Sequence, residues 1–384
     1  MLAEELRFLG LDALVGGEWR AAAQTFKLAA KLQPQRIDLF LAARASGSLV
    51  RWYSASPTSD RYRSKLTLPK GNDQNSRLAR ADKRWWHGDP EGALKEVDAA
   101  LFLGADYAPV WILQAEIYVA LNKLEDARFS GERARTLDPT SPRPYYALLK
   151  VHFLRGEKQA FAEAWKRAVE LRAAPDELEY VMAICYFRAG DSPKAMGCVS
   201  RVLAINPKDR RALSTRLSLR RAASNWNAAL DDVNALLELD PDLAWGMEIK
   251  ADIYHEMSDE AQAVTWYTHA LEFRPFKAEL YRRRGNALFL LKNPKAAIGD
   301  LTRAIALEPD SGAFYCDRAA VHFEQGKYAE SLRDCERALR FLPFHLATHQ
   351  RRAMCLLALR RWKEAMQEIE VSERLRRQQL EVRK

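Results

Sequence analysis

The sequence predicts an all-α protein built from repeated helical hairpins, and two patterns in its 384 residues carry this prediction. First, five prolines recur at a constant spacing of 34 residues, namely Pro207, Pro241, Pro275, Pro309 and Pro343. Second, when each proline is set at position 32 of a 34-residue repeat, small residues fill positions 8 and 20 in eight of ten repeats. A fixed period of this length is typical of stacked two-helix modules rather than of a globular domain.

The small residues predict where the two helices of a repeat cross. Small side chains at positions 8 and 20 let two helix backbones approach closely, while larger residues fill the space between repeats. Aromatic residues supply that bulk at position 4, with Trp111, Tyr145, Tyr281 and Tyr315. The proline that follows the second helix cannot continue it and therefore sets the turn into the next repeat.

These columns resemble the tetratricopeptide repeat, and the resemblance extends over nearly the whole chain. It implies a right-handed superhelical solenoid of about ten helix-turn-helix repeats, with one degenerate repeat and a charged C-terminal capping helix. The repeats begin near residues 3, 74, 108, 142, 176, 210, 244, 278, 312 and 346. We expect four segments: an N-terminal repeat at 1–36, a degenerate repeat with a basic loop at 37–73, a continuous array at 74–361, and the last helix with its cap at 362–384.

Composition and motifs argue against an enzyme. The sequence has no glycine-rich phosphate loop, HExxH, GxSxG or paired-cysteine motif, and stacked helical hairpins lack the strand ends on which catalytic groups converge. His345 and His349 are four residues apart, but no third metal ligand is evident nearby. We expect a protein without catalytic activity, cofactor or bound metal.

Cysteine usage and apolar runs predict the compartment. Five cysteines, an odd number without a CxxC spacing, fit free thiols in a reducing environment. No stretch approaches 18 apolar residues without a charge, and acidic residues near the N-terminus do not fit a signal peptide. We expect a cytoplasmic protein without membrane contact.

The resemblance also implies that positions 2, 5, 6, 9, 12 and 13 of each repeat face the concave groove. In the repeats that begin near 142 and 176, these positions carry cations and aromatic rings: Arg143, Tyr146, Lys150, Phe153, Tyr180, Phe187 and Arg188. Rings add contact area at low entropic cost and cations orient an acidic segment, so the mixture favours peptide binding. Packing between repeats is the alternative for Phe153 and Phe187.

The repeat that begins at Arg210 is polarised in charge. Its first helix has five arginines and no acid, whereas its second helix and the following turn have five acids. Two interpretations stay open. Arg211 and Arg221 form a basic strip in the groove, or they pair with neighbouring acids, and surface pairs of that kind contribute about 0 to 1 kcal/mol each.

The last three repeats resemble the tetratricopeptide domains of co-chaperones more specifically. In that family, five groove residues clamp the C-terminal carboxylates of heat-shock chaperones. By position, Arg282, Asn286 and Arg351 correspond to three of the five, whereas Asp317 replaces an asparagine and Ala347 replaces a lysine. Losing two charge-assisted hydrogen bonds of about 1.5 to 3 kcal/mol each leaves little affinity for such a tail. The clamp is therefore expected to be incomplete.

A second alternative rests on residues 51–84, which hold nine Lys or Arg against three acids. This excess of +6 accounts for most of the net charge of +9. Trp52, Trp85 and Trp86 are among the aromatic residues in this segment or beside it, so stacking on single-stranded nucleic acid is one interpretation. The other is a solvated loop whose aromatic residues anchor it to the solenoid.

The sequence therefore predicts a non-catalytic scaffold or adaptor that binds peptide or helix segments of other proteins, acidic ones among them, as part of a multiprotein complex. The binding residues are expected to be the groove set of Arg143, Tyr146, Lys150, Phe153, Tyr180, Phe187, Arg188, Arg211, Arg221, Arg282, Asn286 and Arg351. A chaperone-tail adaptor and a nucleic-acid-associated adaptor are the two alternatives.

Overall fold

The structure, a computed structural model, describes residues 71–104 and 106–381, with side chains as far as residue 378. All regular structure in these residues is α-helical, in eighteen helices that form nine consecutive hairpins. This confirms the predicted all-α repeat fold. The expected repeat at 1–36 and nearly all of the degenerate repeat and basic loop lie outside the described residues. The described chain divides into two compact units, here called unit N, which ends at Ala270, and unit C, which begins at Leu271.

Each repeat consists of a helix A followed by a helix B. In unit N the A helices are α1 (Gln74–Trp86), α3 (Ala108–Ala120), α5 (Arg143–Arg155), α7 (Pro175–Arg188), α9 (Arg210–Ala222) and α11 (Ala244–Glu256). The B helices are α2 (Pro90–Leu103), α4 (Leu124–Leu137), α6 (Lys158–Glu170), α8 (Ser192–Ile205), α10 (Trp226–Leu239) and α12 (Glu260–Phe273). The last three residues of α12 belong to unit C.

Unit C continues the same pattern. Its A helices are α13 (Ala278–Leu290), α15 (Gly312–Glu324) and α17 (Leu346–Ala358), and its B helices are α14 (Pro294–Leu307), α16 (Tyr328–Phe341) and α18 (Trp362–Glu381). Helix α18 has 20 residues, against 14 in the other two B helices of the unit. Arg374 pairs with Glu370 on its exposed surface, as expected of a polar terminal helix.

Small residues mark the crossing of helices A and B, as the sequence predicts. Ala115 and Ala127, at positions 8 and 20 of one repeat, are both 0% exposed. Gly285 at position 8 of α13 is more tightly enclosed. A Cβ added there would lie 3.1 Å from Cγ of Leu301 and 3.3 Å from the backbone oxygen of Ala297. A methyl group there would therefore require its neighbours to shift by a few tenths of an ångström.

One residue in every A–B turn adopts a left-handed backbone. These residues recur every 34 positions, namely Gly88, Asn122, Gly156, Gly190, Ser224, Ser258, Lys292, Gly326 and Arg360. Glycine tolerates a positive φ without penalty, whereas a side chain there costs about 1 to 2 kcal/mol. The hairpin geometry thus holds the turn in this conformation whichever residue occupies it.

A polar pair, 16 residues apart in sequence, joins helices A and B within many repeats. Three are two-point arginine–aspartate pairs: Arg216–Asp232, Arg284–Asp300 and Arg318–Asp334. Elsewhere the same two positions carry Leu148 with Ala164, both buried, or Lys250 with its ammonium 3.8 Å from the Trp266 ring centroid. The two positions vary together because a buried charge needs its partner.

Candidate partner-binding cleft

Unit N contains a cleft of about 780 Å³ between its A helices. One column of the repeat, position 5, contributes Leu78, Ile112, Tyr146, Tyr180 and Ser214 to its surface. A second column, position 2, contributes Pro109, Arg143, Glu177, Arg211 and Trp245. Equivalent residues of successive A helices lie side by side, so the 34-residue period decides which side chains line the cleft.

Aromatic and aliphatic side chains form most of the cleft surface. Trp85 and Trp86 come from the end of α1, Tyr146 and Tyr180 from α5 and α7, and Trp245 from the start of α11. Burial is the main cause that raises the pKa of Tyr146 and Tyr180 above the ordinary 10.0, so both hydroxyls stay protonated at neutral pH. The rings therefore offer a neutral, apolar surface.

Arg211 is the most heavily bonded cation of the cleft. Its guanidinium donates to both carboxylate oxygens of Glu177, at 3.0 and 2.9 Å, and to Asp209 at 2.9 Å. It also lies 4.6 Å from the ring centroid of Tyr180. Burial alone would lower the pKa of Arg211, but the hydrogen bonds to the two acids outweigh it and raise the pKa. Arg211 is therefore a paired, fixed cation and not a free one.

Lys150 is held in the same way beneath the cleft. Its ammonium donates to both carboxylate oxygens of Glu116, at 2.8 and 2.6 Å, and lies 5.7 Å from the Tyr180 ring centroid. The residue is only 4% exposed, whereas Glu116 lines the cleft. Lys150 and Arg211 thus both contact the Tyr180 ring, which fixes that ring in place.

The first repeat of unit N touches the fifth and sixth across the cleft, along a seam formed by Asp82, Trp86, Arg210 and Trp245. The Trp245 indole donates to the Trp86 carbonyl oxygen at 2.7 Å, and the two rings meet edge to face with centroids 5.6 Å apart. Arg210 donates to Asp82 at 2.9 Å and lies 4.7 Å from the Trp86 ring centroid. This seam closes one side of the cleft.

The seam is thin. Arg210 and Asp82 are 45% and 48% exposed, and an ion pair so accessible to water contributes at most about 1 kcal/mol. Within the described residues, the buried Nε1 of Trp86 has no hydrogen-bond partner, which is unfavourable. Nearby, Nε2 of His87 lies 3.1 Å from Asp240.

Arg143 differs from the other charged residues of the cleft. Asp82, Glu116, Glu177, Arg210 and Arg211 are all paired. Arg143 is exposed at the start of α5 and makes no ion pair with any residue that the structure describes.

The remaining predicted groove residues of unit N lie outside the cleft surface. Phe153 packs against Phe161 and Tyr186, with ring centroids 6.0 Å apart in each case, and Phe187 is 38% exposed. Arg188 donates to the carbonyl oxygens of residues 119 and 120, at the end of α3. The closest approach of Arg221 to an acid is 3.7 Å, to Asp252.

In unit C, two of the three clamp-like residues, Arg282 and Asn286, bond a carboxylate of the chain itself. Asp317 accepts hydrogen bonds from Arg282 at 3.1 Å and from Asn286 at 3.0 Å. Arg282 also donates twice to Glu279, at 2.8 and 2.7 Å, and hydrogen bonding to Glu279 is the main cause that raises its pKa. Arg351 donates to the backbone oxygen of Cys316 at 3.3 Å. The donors of Arg282 and Asn286 are thus engaged by Asp317 of the chain itself.

Sequence reasoning missed the seam and the pairing of Lys150, whereas pairing of Arg211 with an acid was one of the two interpretations that it left open. The pairing had a signal, because oppositely charged residues stand one period apart in the same column, as Glu116 with Lys150 and Glu177 with Arg211. The seam had none, because Trp86 and Trp245 are 159 residues apart and occupy different columns.

The candidate metal residues have other partners. His349 approaches Glu368 at 2.5 Å through Nδ1 and the Pro343 carbonyl oxygen at 2.9 Å through Nε2, so neither ring nitrogen is left for a metal shared with His345. The five cysteines are all buried free thiols. Among the described residues, no helix combines the length and the apolar character needed to cross a membrane.

Comparison with known families decides the classification. Models of the tetratricopeptide repeat match residues 78–142, 247–277 and 278–311. The chain is a tetratricopeptide repeat protein. Proteins of this class mediate protein–protein interaction, and the column positions used above are those of its repeat.

Individual relatives are more distant. Human DnaJ homolog subfamily C member 7 is 22% identical over 288 residues, which cover 67% of this tetratricopeptide repeat protein and 58% of the relative. Human serine/threonine-protein phosphatase 5 is 32% identical over 97 residues, 25% of this chain and 19% of that protein. A solved structure of the first tetratricopeptide domain of Spaghetti (RPAP3) bound to the HSP90 peptide SRMEEVD is 27% identical, with a TM-score of 0.30, and covers 30% of this chain and 92% of that one. The chain spans less than two thirds of the length of the DnaJ relative.

Proposed function

We propose that this protein is a non-catalytic interaction scaffold and that a segment of a partner protein binds in the cleft of unit N. The observation that carries the proposal is the row of position-5 side chains, in which Ile112, Tyr146 and Tyr180 present apolar surface side by side. Partner segments gain affinity from such a surface because its rigid helices are already in place, which limits the ordering cost on binding.

Site-specific cross-linking tests this proposal. A photoreactive phenylalanine analogue placed at Ile112, inside the cleft, is expected to capture a partner segment in cell extract. The matched position is Phe102, which is 93% exposed but does not line the cleft. Mass spectrometry should find defined partner peptides attached at position 112 and absent at position 102. Equal capture at the two positions would mean that the cleft is not the binding surface.

A loss-of-binding pair complements the cross-linking. Ile112→Ala combined with Tyr146→Ala removes two adjacent apolar contacts from the cleft, and central contacts of this kind are worth about 2 kcal/mol or more each when truncated. Partner recovery should therefore fall at least tenfold, whereas Phe102→Ala should leave it unchanged. Circular dichroism and melting of all variants would establish that the fold is retained.

A co-chaperone-like adaptor that binds chaperone C-terminal tails through unit C is the alternative within the same class. The similarity to DnaJ homolog subfamily C member 7 and to phosphatase 5 supports it, as does the meeting of Arg282 and Asn286 at one point. The presence of Asp317 at that point weakens it, because a ligand carboxylate would have to displace a like charge.

Binding of nucleic acid through residues 51–84 is a further alternative. In the described part of this segment, Arg77, Arg80 and Arg84 all lie within 3.7 Å of the carboxylate of Glu96. These cations are therefore already neutralised in part. RNA or DNA binding that falls steeply with salt and disappears on deletion of residues 51–70 would favour this alternative.

A further inference from the structure

One face of α18 exposes large apolar side chains to solvent. Trp362 is 58% exposed and Met366 is 65% exposed, and residues four positions apart lie on the same side of a helix. Ile369, which is half-buried, follows three residues later on that side. A group of exposed large apolar side chains is a feature of interaction surfaces.

The preceding repeat shows what this face of a B helix contacts. Leu332 of α16 stands 34 residues before Met366 and occupies the same position of its repeat. It is only 4% exposed, and it lies in one apolar cluster with Cys355 and Leu356 of α17. The side chain at this position therefore packs on the next helix A. On α18 no helix of the described residues covers it.

The edge of the same face carries two opposite charges. Lys363 and Glu370 are seven residues apart, about two helical turns, so they lie on one edge of α18. Lys363 is exposed and makes no ion pair with a described residue. Glu370 contacts Arg374, but their side chains are 64% and 71% exposed, and an ion pair so accessible to water is weak. Both charges can therefore contact a partner helix.

These positions complement a second copy of α18. In an antiparallel pair around a two-fold axis, Met366 of one copy packs against Ile369 of the other. The same axis brings Lys363 of one copy opposite Glu370 of the other, because both pairs have their midpoint near residue 367. In a parallel pair each of these charges would face its own like, which is repulsive. The order of the charges therefore favours the antiparallel arrangement.

We infer that this protein forms a homodimer through antiparallel pairing of the exposed face of α18. Each contact occurs twice, because the two copies contribute the same surface. One helix from each copy supplies the interface, so it is at the small end of specific interfaces, and the dissociation constant is expected to be on the order of 10 µM. The inference concerns α18 alone and does not depend on ligand binding in the cleft of unit N.

Sedimentation equilibrium of the full chain tests the inference. The mass should rise from 43.8 kDa towards twice that value as the concentration increases from about 1 to about 200 µM. Met366→Lys should weaken the dimer at least tenfold, because it places two charges in the apolar centre of the interface. The matched control is Val371→Lys, since Val371 is an apolar residue of the same helix, 38% exposed, on another face. It should leave the dissociation constant unchanged.

A charge exchange tests the orientation of the two helices. Lys363→Glu and Glu370→Lys should each weaken the dimer about tenfold, because two repulsive contacts replace two attractive ones. The double variant restores both attractive contacts across the axis, so its dissociation constant should return to within about threefold of the native value. Circular dichroism and melting should be retained in all variants, because the substituted side chains are exposed.

Four results would overturn the inference. A native chain that stays at 43.8 kDa up to about 200 µM would exclude the homodimer. Equal weakening by Met366→Lys and Val371→Lys would exclude this face as its interface. Failure of the charge exchange to restore the dimer would exclude the antiparallel pairing of Lys363 with Glu370. A native chain that stays monomeric and melts much lower as Met366→Lys would mean that another segment of the same chain covers the face.

Discussion

Replacing Asp317 by asparagine should create a carboxylate-binding site in unit C. In the native chain, Asp317 accepts hydrogen bonds from Arg282 and Asn286. Asp317→Asn removes that internal acceptor charge and leaves both donors available to a ligand. Arg282 keeps its two hydrogen bonds to Glu279, so the fold should be retained and the donor should stay in place.

The expected gain follows from these two hydrogen bonds. A hydrogen bond to a charged group contributes about 1.5 to 3 kcal/mol. Arg282 and Asp317 have side chains that are 28% and 26% exposed, so solvent screening brings the sum of the two bonds to the lower limit or below it, about 2 to 3 kcal/mol. That energy corresponds to a gain of about 30- to 150-fold in affinity.

Isothermal titration with a short acidic peptide that has a free C-terminal carboxylate measures the effect. Asp317→Asn should bind this peptide at least thirtyfold more tightly than the native chain, and the C-terminal amide of the peptide should lose most of the gain. Asp310→Asn, which removes an exposed carboxylate outside this cluster, is the matched control. The same weak binding by Asp317→Asn and by the native chain would refute the view that Asp317 blocks the site.

Three further predictions concern stability. Lys292→Gly should raise the free energy of unfolding by about 0.5 to 1 kcal/mol in urea titrations, because residue 292 has a φ of 58°. Arg318→Leu alone should lower the free energy of unfolding by about 3 kcal/mol, because it leaves the buried Asp334 carboxylate without its arginine partner. Adding Asp334→Ala should restore most of the lost stability. If stability is not restored, the pairing is not the cause of the loss. Burial alone would raise the pKa of Asp209, but bonding to Arg211 and to the start of α9 lowers it overall. Its stabilising effect is therefore present above about pH 3.9 and lost as the pH falls through the lowered pKa. In urea titrations Asp209→Asn should be destabilising by about 1 kcal/mol at pH 7, and this difference should shrink as the pH falls through that pKa.

The helices could be predicted from the sequence because their positions depend on local pattern. The period of the prolines and the alanine columns placed the starts of the repeats near 142 and 176, and the corresponding A helices begin at Arg143 and Pro175. Small residues at the crossing of two helices are required by close backbone approach, which is a property of one repeat and recurs in each.

The cleft could be predicted only in part. Its columns follow from the period, and Tyr146 and Tyr180 lie in it as the groove positions imply. The state of its charges depends on rotamers and on contacts between repeats, which explains why the sequence leaves the pairing of Arg211 open and does not indicate that of Lys150, although both are bonded to acids. Whether any of these residues binds a partner stays a prediction.

The two kinds of polar pair have different consequences for how this chain can change over evolution. The Arg318–Asp334 pair lies within one repeat. Duplication or loss of that repeat therefore adds or removes both charges together, and neither residue is left without its partner. Arg211–Glu177 and Lys150–Glu116 join neighbouring repeats, since their members are 34 residues apart. An insertion between those modules would separate acid from base. Insertion between the modules of unit N should therefore disrupt its cleft, whereas the Arg318–Asp334 pair would survive a change in the number of repeats.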